Sequence, residues 1–221
     1  MSTNDYNKQL TLKLAELLTG TGFKRKKTGC LYRKVNRSVQ YLFVHFERDK
    51  DSDEEAYTLS CSLAFQYVRA DKLTCRFRGE SFKQELATGF MPLGEVVPAQ
   101  EIIWEKYCPD LSMDEYAGLI AHDFVVYASS FYDKFDSLEK LEAYFDRHPE
   151  EDENEEFHVV NNHVRSVRPC LIAAVLCMRK RWDKLQSFID TDKNLTEDEK
   201  KRIAEYVEDY RKPKTVNRVK W

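Results

Sequence analysis

The stretch from Gly22 to Tyr67 constrains the fold most. A helix-ending glycine leads into three apolar runs, rich in β-branched and aromatic residues and separated by short polar segments. The third run alternates strictly: Tyr57, Leu59, Cys61, Leu63, Phe65 and Tyr67 interleave with Thr58, Ser60, Ser62, Ala64 and Gln66. Strand side chains point to opposite faces in turn, so a period of two predicts a β-strand with one buried face. Before it, Cys30–Val35 and Val39–Phe46 flank Asn36-Arg37-Ser38, a polar turn suited to a hairpin. The run through Val39, Tyr41, Leu42, Phe43, Val44 and Phe46 has almost no polar alternation, which predicts a central strand covered on both faces, with Phe43 in the core.

Upstream, Leu10, Leu14, Leu17 and Leu18 recur at i, i+4, i+7 and i+8, the stripe of an amphipathic helix stopped by Gly20 and Gly22. Leu10, Leu14 and Leu17 are expected to pack on one face of the sheet. Downstream, Leu73, Cys75 and Phe77 alternate with Thr74, Arg76 and Arg78, which predicts a fourth strand; Gly89, Pro92, Gly94 and Pro98 then break the pattern. Ile102, Ile103 and Trp104 fit an edge strand or a short helix.

The remainder reads as helix. Ser112 and Glu115 have the spacing of a capping box ahead of Tyr116, Leu119, Ile120, Phe124, Tyr127, Phe131 and Phe135, predicting a long helix from about Met113. Asp136 or Ser137 suits the cap of the next helix, which buries Leu138, Leu141, Tyr144 and Phe145. Val160, Val164, Val167, Leu171, Val175 and Met178 keep helical spacing, and Pro169 either kinks that helix or opens a fresh one in its first turn. Helices over Trp182–Ile189 and from Thr196, boxed by Glu199, complete the chain. The expected class is therefore α+β: an antiparallel sheet packed by an N-terminal helix, then a helical C-terminal region. Residues 1–148 form the α+β domain, 149–157 an acidic loop or linker, and 158–221 a helical extension, either part of that domain or separate.

Two groups of residues carry a resemblance. The leucine-striped helix runs into Gly22-Phe23-Lys24-Arg25-Lys26, then Leu31-Tyr32-Arg33 and Gln40-Tyr41-Leu42-Phe43, and farther on comes Phe131-Tyr132-Asp133-Lys134-Phe135-Asp136-Ser137-Leu138-Glu139. Over Leu10 to Phe145 this resembles the bacterial domain-of-unknown-function family 4304. The resemblance implies an α+β fold with an antiparallel sheet. It brings no activity, cofactor or active-site residue.

Composition narrows the function classes. At 42% hydrophobic, 33% charged and 13% aromatic, the 221-residue chain is too apolar for disorder and too charged for a membrane protein. A net charge of −3 supplies no bulk field toward nucleic acid or anionic lipid. The start from Met1 to Lys8 lacks a signal-peptide pattern, and no run reaches the roughly 20 apolar residues of a membrane span, so the expected compartment is the cytoplasm. The cysteines Cys30, Cys61, Cys75, Cys108, Cys170 and Cys177 sit within apolar patterns and read as buried thiols.

No catalytic constellation emerges. The glycines form neither a P-loop nor a dinucleotide fingerprint. His158 and His163 are five apart and point in different directions on a helix, so no metal set is expected, and no cofactor. His45, among aromatic residues, could sit in a pocket but reads first as structural. His122 and Asp123 are adjacent, about 100° apart on a helix, and do not form a dyad by themselves. Two charge clusters remain. Lys24–Lys27 with Arg33, Lys34 and Arg37, near Tyr32 and Tyr41, could form a single-strand RNA surface, or simply protect a sheet edge. Glu47–Glu55 and Glu150–Glu156 could steer a basic protein.

The leading expectation is a non-enzymatic, cytoplasmic protein-interaction protein, in its most concrete form an immunity protein that masks a basic toxin. Glu150, Glu151, Asp152, Glu153, Glu155 and Glu156 are the expected partner-binding residues; no residue is assigned to catalysis or to a metal. Nucleic acid is not the expected partner. An RNA-associated module, or an enzyme with a site not visible in sequence, is the alternative.

Overall fold

A computed structural model describes residues 2–48, 57–82, 87–99, 102, 111–147 and 167–211. These fall into two compact units, one within residues 1–68 and 85–163, the other within 69–84 and 164–221.

In the first unit, helix α1 (Thr3–Leu17) starts at Ser2, whose side chain accepts the Asp5 N–H at 3.2 Å. Leu10, Leu14, Leu18 and Thr11 are fully buried, and Tyr6 and Asn7 nearly so, but Leu17 is 55% exposed, against expectation. At about 100° per residue Leu17 shares the angular sector of Tyr6 and Leu10, so its exposure follows from its place in the last turn and not from its face of the helix. Its neighbour Leu18, at the helix end, turns inward instead.

The sheet has five strands in the order β1 (Lys24–Lys27), β2 (Cys30–Val35), β3 (Ser38–Arg48), β4 (Tyr57–Gln66) and β5 (Gly89–Pro92), every neighbouring pair antiparallel. Asn36, at φ +52°, makes the β2–β3 turn, a conformation that asparagine tolerates better than most residues. One face is the core. Leu31, Leu42, Leu63 and Met91 lie in one cross-strand row, followed along β3 and β4 by Val44 beside Cys61 and Phe46 beside Leu59; all eight are buried. Helix α3 (Met113–Lys134) presses Phe131 and, at its C-terminal end, Phe135 against Phe65, with ring centroids 5.9 and 4.8 Å away. Tyr67 donates to the Phe135 carbonyl at 2.8 Å.

The predicted double coverage of β3 holds on that face. On the other, burial is graded: Tyr41 is buried, Val39 and Phe43 are half-buried and His45 is exposed. Phe43 therefore belongs to the second face and not to the main core. In β4, Thr58 and Ser60 are exposed as alternation predicts, while Ala64 and Gln66 nearer the strand end are buried.

The predicted fourth strand is a helix, α2 (Val68–Arg78). Leu73 and Phe77 are four apart, and with Ala70 they form a helical stripe that three alternating pairs cannot distinguish from a strand. The fifth strand comes instead from Gly89–Pro92, where breakers were read; a four-residue edge strand tolerates proline because its outward side needs no N–H. Ile102 is half-buried and outside any helix or strand, and Ile103 and Trp104 lie outside the described residues.

Helix α3 carries the complete Ser112–Glu115 capping box. Ser137, not Asp136, caps α4 (Leu138–Arg147) by accepting the Lys140 N–H at 3.2 Å; Asp136 pairs with the Lys140 ammonium at 2.9 Å.

The second unit combines α2 with α5 (Arg168–Met178), α6 (Trp182–Thr191) and α7 (Glu197–Arg211). Pro169 sits in the first turn of α5, the fresh start that its missing N–H allows. Cys170 through Cys177 are buried without interruption, so α5 is the core helix of this unit. Phe77 of α2 meets Tyr206 of α7 edge to face at 5.6 Å, and Arg202 donates to the Phe77 carbonyl at 3.2 Å.

Candidate binding surface

The second face of the sheet gathers aromatic, polar and basic side chains from all five strands. Register places Lys24, Tyr32, Tyr41, Ala64 and Phe90 in one row across all five strands. At about 4.8 Å per strand the row spans roughly 19 Å. On one side of it lie Cys30, Phe43, Ser62 and Pro92, with Lys27 opposite Cys30; on the other lie Lys34, Val39 and Gln66. Cys30, Tyr41 and Ala64 form a small buried cluster against which Tyr32, Val39, Phe43, Ala87 and Phe90 pack, half-buried.

The centre of this surface is fixed in place. Tyr41 donates to Gln66 Oε1 at 2.9 Å, and its ring stacks on Phe43 with centroids 5.5 Å apart and planes 16° from parallel. A register shift between Arg25 and Lys27 leaves Lys26 bulged, and its ammonium stands 4.9 Å from the centre of the Tyr41 ring. A cation over an aromatic face is held by the ring quadrupole. Lys24, Lys26, Lys27 and Lys34 are all exposed. Burial raises the Cys30 thiol above its ordinary pKa, with Lys26 and Lys27 pulling the other way, so the thiol stays protonated at neutral pH.

The basic set read from sequence is therefore divided. Arg33 belongs to the core face: its guanidinium lies 4.9 Å from the Phe23 ring centre and 5.7 Å from that of Tyr132, and donates to Gln40 Oε1 at 2.7 Å and the Thr21 carbonyl at 2.9 Å. Arg25 shares a row with Leu31, and Arg37 is exposed at the hairpin turn. Phe90 escaped the sequence reading because a single aromatic between Gly89 and Met91 carries no periodicity.

The other candidates resolve differently. His45 is exposed and pairs with Glu47 at 3.1 Å, so it occupies no aromatic pocket. His122 Nδ1 and Asp123 Oδ1 are 3.1 Å apart, so these adjacent residues do meet, contrary to the helical-angle argument. Side-chain rotation closes the gap: His122 is exposed and Asp123 buried. Cys30, Cys61, Cys75, Cys170 and Cys177 are buried and outside any disulfide, as expected, and burial pushes the Cys177 thiol up to about 12. Among the described residues no group of three or more His, Cys, Asp and Glu could hold a metal ion, and no helix is long and apolar enough to cross a membrane. Glu150, Glu151, Asp152, Glu153, Glu155 and Glu156, together with Cys108, His158 and His163, lie outside the described residues, as do all of Glu47–Glu55 except Glu47 and Arg48.

No family model, no curated protein and no solved structure matches this chain.

Proposed function

We propose that this is a non-enzymatic, cytoplasmic binding protein whose contact surface is the second face of the sheet. The observation that carries this reading is the five-strand row from Lys24 to Phe90 with the Lys26 ammonium over Tyr41. Half-buried aromatic rings around a fixed centre, rimmed by exposed charge, are the arrangement from which binding hot spots are built: apolar anchors supply affinity and the rim supplies orientation and encounter rate.

The two partner classes require opposite contact chemistry. A basic toxin would be met by Glu150–Glu156, whereas the surface that combines charge with aromatic rings is cationic and calls for an anionic partner. Affinity capture from the native host with two charge variants separates them. Lys24→Glu/Lys26→Glu/Lys27→Glu changes exposed side chains and is expected to lose the partner, while Glu150→Gln/Glu151→Gln/Glu153→Gln/Glu155→Gln keeps it. The reverse outcome would move the contact to the acidic segment and restore toxin masking as the leading function.

A further inference from the structure

Resting on that reading, we infer that the partner of the lysine-rimmed sheet face is a single-stranded nucleic acid, with bases stacked on Tyr32, Phe43 and Phe90 and phosphates held by Lys24, Lys26, Lys27 and Lys34. Three observations converge on this chemistry. The rings are presented in register on one face of the sheet, each of Tyr32, Phe43 and Phe90 half-buried: Tyr32 beside Tyr41, Phe90 two strands further along the same row, and Phe43 in the row adjoining. Sheet surfaces of this kind take up about two or three unstacked bases, because every base offers a planar face whatever its sequence.

Tyr41 makes the platform rigid. Its hydroxyl is spent on Gln66 and its ring on Phe43 and Lys26, so Phe43 is oriented before any partner arrives. Preorganised rings lose little entropy on binding. The four lysines cluster at the β1–β2 end of the row, beside Tyr32, where they would hold the phosphates of the nucleotides at that end of the strand. Lysine is the residue for this task, a point charge that follows a flexible backbone.

The chain's net charge of −3 sharpens the expectation. Attraction must come from the local cluster, so binding weakens steeply with salt. At about 0.7 per phosphate neutralised on a single strand, four contacts give a slope of log K against log salt of roughly −3. An acidic peptide would also meet the lysines but would have no use for the flat rings, and a duplex hides its base faces.

Fluorescence anisotropy with labelled oligouridine, its deoxy counterpart, a duplex of equal length and polyglutamate tests this on the full chain. The expected result is binding of both single strands, with much weaker binding of duplex and polyglutamate. Lys24→Glu/Lys26→Glu should flatten the salt slope by at least about 1. Tyr32→Leu keeps apolar bulk on the sheet but removes the π face, and should weaken binding roughly tenfold with the melting temperature little changed. Preference for duplex or polyglutamate, indifference to both variants, or no single-strand binding at low salt would overturn the inference. If no nucleic acid binds while the lysine triple variant still loses a host partner, the contact surface stands and its nucleic-acid assignment falls; if the triple variant also keeps its partner, both fall.

Discussion

The Asn7 side chain takes the place of a strand at Phe46: Asn7 Nδ2 donates to the Phe46 carbonyl and Asn7 Oδ1 accepts the Phe46 N–H, both at 2.8 Å. Strand β2 begins opposite Phe43, so this amide continues the pairing of β3 beyond the hairpin. The same helix turn ties down the β1–β2 turn, because Thr11 donates to the Asn7 carbonyl and accepts the Gly29 N–H at 2.8 Å. Asn7→Ala strands two backbone groups at a buried site, each worth about 1–3 kcal/mol when left unmade, so the expected loss is about 2–6 kcal/mol. Urea unfolding with an unchanged m-value measures it. A loss below about 0.5 kcal/mol would mean that water replaces the amide.

Gly29 is required by both conformation and space. Its φ is +72°, and a Cβ there would stand 2.8 Å from the Val44 carbonyl oxygen, a backbone atom that cannot swing away. Gly29→Ala is expected to cost more than the roughly 1–2 kcal/mol of the left-handed conformation alone. Gly20→Ala meets nothing within 4 Å and has an ordinary φ, so it should be neutral or stabilise by up to about 1 kcal/mol. Melting curves of the two variants side by side check the contrast; equal shifts would refute it.

The fold was legible wherever the information is local. Alternation along β4, the capping pairs Ser112–Glu115 and Thr196–Glu199, and Pro169 in the first turn of α5 each depend on residues a few positions apart, and each appears in the structure. Asn7 was invisible because its meaning lies 39 residues away. Helix α2 was misread because Leu73 and Phe77 satisfy both periods, and β5 because its edge position, which excuses Pro92, is a property of the assembled sheet. The candidate surface was half legible. Lysines near Tyr32 and Tyr41 could be read from the chain, but the alignment of Phe90 with them runs through β3 and β4, and the assignment of Arg33 to the opposite face requires the register.

Lys180 ends α5 at φ +59°, where Arg181 donates to the Leu176 carbonyl at 2.9 Å and Lys180 to that of Cys177 at 3.0 Å. This is the hydrogen-bond pattern of a helix end that glycine usually fills, as Gly79 does at φ +73° after α2. The Cβ strain of an ordinary residue there is about 1–2 kcal/mol, partly offset by the greater entropy glycine loses on folding. Lys180→Gly should therefore stabilise the protein by about 0.5–1 kcal/mol, since the side chain is exposed. Destabilisation in a denaturant titration would show that the lysine makes a contact outweighing the strain.

Alkaline pH should unfold the protein through its buried phenols and thiols. Burial raises Tyr67, Tyr132 and Tyr206 above the ordinary value of 10.0, and raises Cys30, Cys75, Cys170 and Cys177 above 9.0. In the unfolded chain these groups lose their protons near the ordinary values, while the folded chain holds them longer. The folded state then binds more protons, so stability falls as pH rises. The contribution is complete below about pH 9 and is lost progressively above it, first as the unfolded thiols ionise and then the unfolded phenols. Tyr67, which also donates to the Phe135 carbonyl, supplies a control. Tyr67→Phe should be less stable at neutral pH, having lost that bond, yet lose less stability per pH unit in the alkaline range, having one fewer group to ionise. Urea midpoints from about pH 7 to about pH 11, with the ultraviolet absorbance of tyrosinate followed in parallel, measure both. A wild-type midpoint that stays level across that range, or tyrosinate forming in full before unfolding, would mean that these hydroxyls and thiols are open to water.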